Sequence, residues 1–232
     1  MKQYIKPGYF GIHVAADSRR NEFDCKNQVL IEHQTPIDFV FIGDSITERW
    51  ELGAYFHQPN QIIINRGIGG DITEYVYKRF EADVIQLKPN YCIMMIGVND
   101  AWDLEYDYGK QEPVMTVPEV LERSIKHITQ IIKLAKQHQQ PLIICSVLPT
   151  NMLWTNHETE RKHYIKQLNQ YLVKLCQEHH LIYVDYYTSM LADDGLSVKE
   201  GIMLEDLHPN VFGYDIMADI LRTTLKQHNI KI

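Results

Sequence analysis

The hydrophobic positions of this chain follow two alternating rhythms. Five short runs are almost wholly apolar: Ile37–Ile42, Ile62–Ile64, Tyr91–Ile96, Leu142–Val147 and Leu181–Val184. Each is closed within a residue or two by Gly43, Asn65, Gly97, Pro149 or Asp185. Runs this short, apolar on both faces and bounded by turn residues, predict strands buried in a parallel sheet. Between them apolar residues recur at helical spacing. Val117–His138 carries Val120, Leu121, Ile125, Ile128, Ile131, Ile132 and Leu134 on one face; His157–His179 carries Tyr164, Ile165, Leu168, Tyr171, Leu172 and Leu175; Val211–Gln227 carries Ile216, Met217, Ile220, Leu221 and Leu225. Such stripes are read as helix faces packed on a sheet.

Strand–helix alternation predicts an α/β fold, a three-layer α/β/α domain around a five-stranded parallel sheet. No repeat or linker interrupts it, so one domain over residues 1–232 is expected, with residues 1–35 as a lead-in segment and a helix. Residues 100–117 predict a long loop. Ligands of such sheets bind beyond the carboxyl ends of the strands, so chemistry is sought there.

Composition narrows the field. Of the 232 residues 45% are apolar and 23% charged, enough for a substantial core and against a disordered chain. With 23 basic and 30 acidic side chains the net charge is −7, which argues against a nucleic-acid partner. The four cysteines, at 25, 92, 145 and 176, form no C-x-x-C pair and are expected as core filling in a reducing compartment. The first residues lack the apolar stretch of a signal peptide, and no run approaches the roughly 20 residues that span a bilayer. A cytoplasmic location without membrane insertion is the expectation; a homo-oligomer stays open.

Four strand-end or loop segments carry candidate chemistry. The first run leads into Gly43-Asp44-Ser45, where a serine at a strand-to-helix turn projects its hydroxyl and offers its own N–H; a simple helix cap reads equally well. The second leads into Asn65-Arg66-Gly67-Ile68-Gly69-Gly70-Asp71, whose glycines permit N–H groups aimed at an anion. It matches neither G-x-G-x-x-G nor a phosphate-binding Gly-Lys-Ser/Thr, so nucleotide binding is disfavoured. The third leads into Gly97-Val98-Asn99-Asp100, where Asn99 can supply an amide N–H. Near the C-terminus, Glu205-Asp206-Leu207-His208-Pro209-Asn210 sets a histidine beside carboxylates that can orient its ring. Together a serine, two kinds of oxyanion donor and an acid-flanked histidine form a serine-hydrolase constellation.

These segments resemble, in order, four blocks of the GDSL or SGNH hydrolase family, between residues 41 and 210. The resemblance implies a flavodoxin-like α/β fold, similar to the subunits of platelet-activating-factor acetylhydrolase. It implies Ser45 as nucleophile, His208 as base, and Ser45, Gly70 and Asn99 as the oxyanion hole. The implied activity is ester hydrolysis without metal or organic cofactor. One departure concerns the acid: where the family has Asp three residues before the histidine, this chain has Glu205, and Asp206 is the alternative. The expected substrate is a small-molecule ester with a small acyl group, acetyl foremost. Trp102 and Trp154 are candidates to contact it, whereas Trp50 is expected in the core. Acyl transfer or thioester cleavage would use the same groups, and an inactive binding module on the same fold is a third reading. H-E-x-x-H and G-x-S-x-G are both absent.

Overall fold

The computed structural model describes residues 4–10, 14–107 and 112–232. A five-stranded sheet has the order β2-β1-β3-β6-β7, formed by β1 (Phe39–Gly43), β2 (Ile63–Gly67), β3 (Tyr91–Met95), β6 (Leu142–Cys145) and β7 (Ile182–Val184). The sheet is parallel, as the unbroken apolar runs require, and the fold class is α/β. β1 is buried along its whole length, between β2 and β3. The long helices are α1 (Val14–Glu32), α5 (Val117–Gln137), α6 (Glu158–His179) and α8 (Val211–Gln227). The last three lie within a residue of their predicted limits.

The chain divides into two compact units, Met1–Ile96 with His127–Ile143, and Gly97–Lys126 with Ile144–Ile232. In the first, β1 leads into the four-residue helix α2 (Ser45–Glu48), followed by α3 (Leu52–Tyr55), β2 and α4 (Thr73–Phe80), which continues as a π-helical turn over Glu81–Ile85. Trp50 is buried, as expected, with its ring edge-on to Phe41 at 5.8 Å and to Phe56 at 5.5 Å. The same unit holds a buried ionic network that the apolar pattern did not indicate. The Arg79 guanidinium, fully enclosed, donates to Asp71 (2.7 Å), to Asp83 (2.8 Å) and to the carbonyls of Gly43 (2.9 Å) and Arg66 (2.8 Å). Burial alone would lower its pKa, but Asp71 and Asp83 outweigh that and hold it above the usual value. Arg20 of α1 pairs with Asp71 from the other side, and Arg66 donates to Asn27 at 2.8 and 3.0 Å.

In the second unit, α6 buries Tyr164, Ile165, Leu168 and Leu172, and α8 packs on α7 (Tyr186–Met190). The segment after Gly97 departs from the expected loop. Asn99–Leu104 is a 3-10 helix, and β4 (Tyr106–Asp107) pairs with β5 (Glu112–Pro113) as a short antiparallel ladder; Tyr108 and Gly109 lie outside the described residues. Arg123 of α5 fixes this segment by pairing with Asp103 and donating to the Asp100 carbonyl at 3.2 Å. Its partners lie about twenty residues upstream, beyond any local pattern. A hairpin of β8 (Met203–Leu204) and β9 (His208–Pro209) precedes α8.

The cysteines correct one expectation. Cys92, Cys145 and Cys176 are buried, but Cys25 is exposed on α1. Among the described residues no helix is long and apolar enough to cross a membrane.

Candidate active site

In the first unit, strand register sets the serine beside the glycine-rich turn. β1 and β2 pair from Phe39↔Ile63 to Gly43↔Gly67, so their carboxyl ends lie side by side. Glycine is required at both: a Cβ on Gly43 would meet the Met95 carbonyl oxygen at 2.2 Å, and one on Gly67 would meet the Glu48 nitrogen at 2.1 Å. β1 then gives way to α2. Asp44 caps it, accepting from the Ile46 N–H at 2.9 Å, and Ser45 is its first residue, half-buried. Asp44 therefore takes the cap role, and the alternative reading of Ser45 as a simple helix cap falls away. After β2 comes the turn Ile68-Gly69-Gly70-Asp71. Gly70 sits exposed at φ +81, a conformation that favours glycine, and Asp71 is anchored to Arg79 below.

In the second unit, Gly97 has φ +136 and accepts at its carbonyl from the Tyr164 hydroxyl at 2.9 Å. A Cβ there would lie 2.8 Å from Leu168 Cδ2. This bond sets the course of the chain into Asn99, which is buried at the start of the 3-10 helix. The Trp102 indole Nε1–H donates to Asn99 Oδ1 at 3.3 Å, which fixes the side-chain oxygen as the acceptor in this pair.

His208, also buried, opens β9, and its Nδ1 lies 2.6 Å from Glu205 Oε1. The approach is made possible by the hairpin turn. The Leu207 N–H donates to the Leu204 carbonyl at 3.1 Å, and both central residues have positive φ, Glu205 +41 and Asp206 +60. Two non-glycine residues in that region cost energy, and such strain concentrates at functional sites. Of the two acids weighed from the sequence, Glu205 is the one bonded to the imidazole; the Asp206 carbonyl accepts from the Asn151 N–H at 3.1 Å.

Trp102 and Trp154 are brought together. Their ring centroids are 6.1 Å apart, and they remain 40% and 63% exposed, large values for the bulkiest apolar side chain. Trp154 Nε1–H reaches the Glu205 carbonyl at 3.5 Å. Arg161, buried and held by Glu158 (2.8 Å) and Glu105 (2.6 Å), stacks its guanidinium over Trp102 at 5.0 Å. Arg161 was missed in the sequence because it sits on the polar side of a helical stripe. Among the described residues no group of three His, Cys, Asp or Glu side chains is arranged to hold a metal ion.

Residues 41–216 match the model of the GDSL-like Lipase/Acylhydrolase family. The chain belongs to that family. It is an ester-bond hydrolase. An acetylxylan esterase from Geobacillus stearothermophilus is 23% identical over 168 residues, 72% of this chain and 73% of the relative. The crystal structure of a GDSL-like lipase from Bacteroides thetaiotaomicron superposes with a TM-score of 0.73 at 23% identity, covering 90% of this chain and 97% of that one. That of the acetylxylan esterase gives 0.64 at 21% identity, covering 82% and 94%. At these identities the structural likeness establishes the fold of this GDSL-family hydrolase.

Proposed function

We propose that this GDSL-family hydrolase cleaves small acyl esters, acetyl esters foremost, through Ser45, His208 and Glu205. His208 takes the Ser45 proton as Oγ attacks the ester carbonyl, giving a tetrahedral oxyanion held by the Ser45 and Gly70 N–H groups and the Asn99 amide. His208 returns the proton to the departing alcohol, leaving an acyl-serine. Water, deprotonated by His208, then attacks that acyl group, and the serine leaves with the proton as the acid is released. Each oxyanion donor is worth about 3–4 kcal/mol in the transition state.

The observation that carries this reading is the 2.6 Å contact between Glu205 and His208 Nδ1. It fixes one tautomer of the ring and leaves Nε2 to act as base. The acyl preference is supported by similarity to an acetylxylan esterase. The exposed Trp102 and Trp154 rings, tilted 43° to each other, would offer the alcohol half two aromatic faces, either of which suits the C–H face of a sugar ring. Free cysteines in all four positions suit work in the cytoplasm.

The test is turnover of p-nitrophenyl acetate, with labelling by a fluorophosphonate probe. Wild type turns over and labels at Ser45, and Ser45→Ala does neither. A Ser45→Ala variant with wild-type rates overturns the mechanism.

A further inference from the structure

The turn Ile68-Gly69-Gly70-Asp71 is closed by the Asp71 N–H, which donates to the Ile68 carbonyl at 3.1 Å. Gly70 stands third in it at φ +81, the signature of a type II turn. Type I and type II turns differ by a half-rotation of their central peptide, and the N–H of that peptide here belongs to Gly70. With glycine at both central positions no Cβ opposes the rotation, so groups outside the turn must decide it.

The exit side is bolted by Asp71, buried between Arg79 and Arg20. The entry side is held by one side chain: Glu48 Oε2 accepts from the Gly69 N–H at 2.6 Å. Glu48 closes α2, the same four-residue helix that Ser45 opens. A Cβ placed on Gly69 would lie 2.9 Å from that carboxylate oxygen and 3.7 Å from Ser45 Cβ. The other Glu48 oxygen faces Arg19 Nε of α1 at 3.6 Å, and the Arg19 guanidinium lies 4.8 Å over the Phe23 ring. Phe23 in turn forms a buried cluster with Ala16 and Ile68, the first residue of the turn. Thus α1, which lies outside the family-matched residues 41–216, packs against the turn and braces the carboxylate that grips it.

We propose that Glu48 is a positioning residue for the oxyanion hole. By holding the Gly69 N–H it fixes the preceding peptide, keeps the turn in its type II form and so aims the Gly70 N–H. The bond also occupies the Gly69 N–H, so the turn presents one donor to substrate. Glu48 neither touches a reacting atom nor moves a proton. This role rests on the reading of Gly70 as an oxyanion donor given above.

The experiment compares wild type, Glu48→Ala, Glu48→Gln and Ser45→Ala on p-nitrophenyl acetate, with rates of fluorophosphonate labelling and thermal midpoints. Glu48→Ala lowers kcat by about 10- to 100-fold, part of the loss that follows deletion of a whole donor, with KM within about twofold. Labelling slows by a similar factor. Glu48→Gln, which keeps a carbonyl acceptor, recovers kcat to within about threefold of wild type. A Glu48→Ala kcat within about threefold of wild type, a loss confined to KM, or a loss that Gln does not recover overturns the proposal. Full activity of Ser45→Ala overturns the parent reading and with it this one. Should Glu48→Ala fail to fold, Arg19→Gln lowers kcat about two- to fivefold at constant KM; an unchanged kcat there overturns the role.

Discussion

Glu205 reaches His208 Nδ1 at 2.6 Å from a turn in which it holds φ at +41. The longer Glu side chain thus reaches the imidazole from backbone in the left-handed region, where the neighbouring Asp206 also lies at φ +60. On the proposed mechanism, Glu205→Gln lowers kcat on p-nitrophenyl acetate by roughly 10²- to 10⁴-fold, because the ring loses its charged orienting partner. Asp206→Asn changes it by less than about threefold. Steady-state kinetics of the two variants decide between the acids.

On the proposed mechanism Asn99 is an oxyanion donor and Trp102 the group that orients it. Asn99→Ala lowers kcat by about 10²- to 10³-fold with little change in KM, the mark of a transition-state contact. Trp102→Phe keeps the aromatic surface but removes the Nε1–H that holds Asn99 Oδ1 at 3.3 Å. It costs roughly 3- to 10-fold in kcat, about 1 kcal/mol, as expected for one neutral hydrogen bond. Equal effects of the two substitutions would refute that division of labour.

Arg79→Met tests the buried ionic network. It removes the partner that Asp71 and Asp83 share, leaving Asp71 to Arg20 and Asp83 to Asn27, and takes the donor from the carbonyls of Gly43 and Arg66. Removing one member of a buried ion pair costs about 3–5 kcal/mol. Urea unfolding reads this as a large drop in the midpoint with the slope unchanged.

Asp24 supplies a pH signature. Burial, reinforced by the Asp83 charge, raises its carboxyl from 3.8 to about 6 in the fold. A group with a raised folded pKa contributes stability when protonated, fully below pH 3.8, and loses it as pH rises through about 6. Asp24→Asn carries no charge at any pH, so its thermal midpoint gains on wild type between pH 4.5 and 7.5. The gain is worth about 1–2 kcal/mol. A difference that stays constant across that range contradicts the assignment.

How far the sequence is legible follows from where each residue finds its partners. β1 is buried throughout and reads as an unbroken apolar run. β2 is different: the run Ile62–Ile64 suggests a strand that stops at Asn65, yet the ladder continues through Asn65, Arg66 and Gly67. Those polar side chains enter the sheet because Asn65 donates to the Thr47 carbonyl and Arg66 to Asn27, 39 positions upstream. α4 bears Arg79 on what looks like a solvated face for the same reason. Ser45, Gly70, Asn99 and His208 stand out in the sequence as candidates because residue type and local turn chemistry coincide there. Glu48 and Arg161 do not stand out, since nothing local distinguishes a charge bonded within the fold from a solvated one.

The uneven placement of the four thiols makes the chain its own reporter. Cys25 faces solvent on α1, while burial pushes the Cys145 and Cys176 thiols up to about 12 and encloses Cys92 completely. A maleimide dye should therefore enter the native protein at a single address. The remaining three sulfurs become reactive only when the strands and helix around them part, so the rate of their capture is a clock of spontaneous opening, read without any substrate.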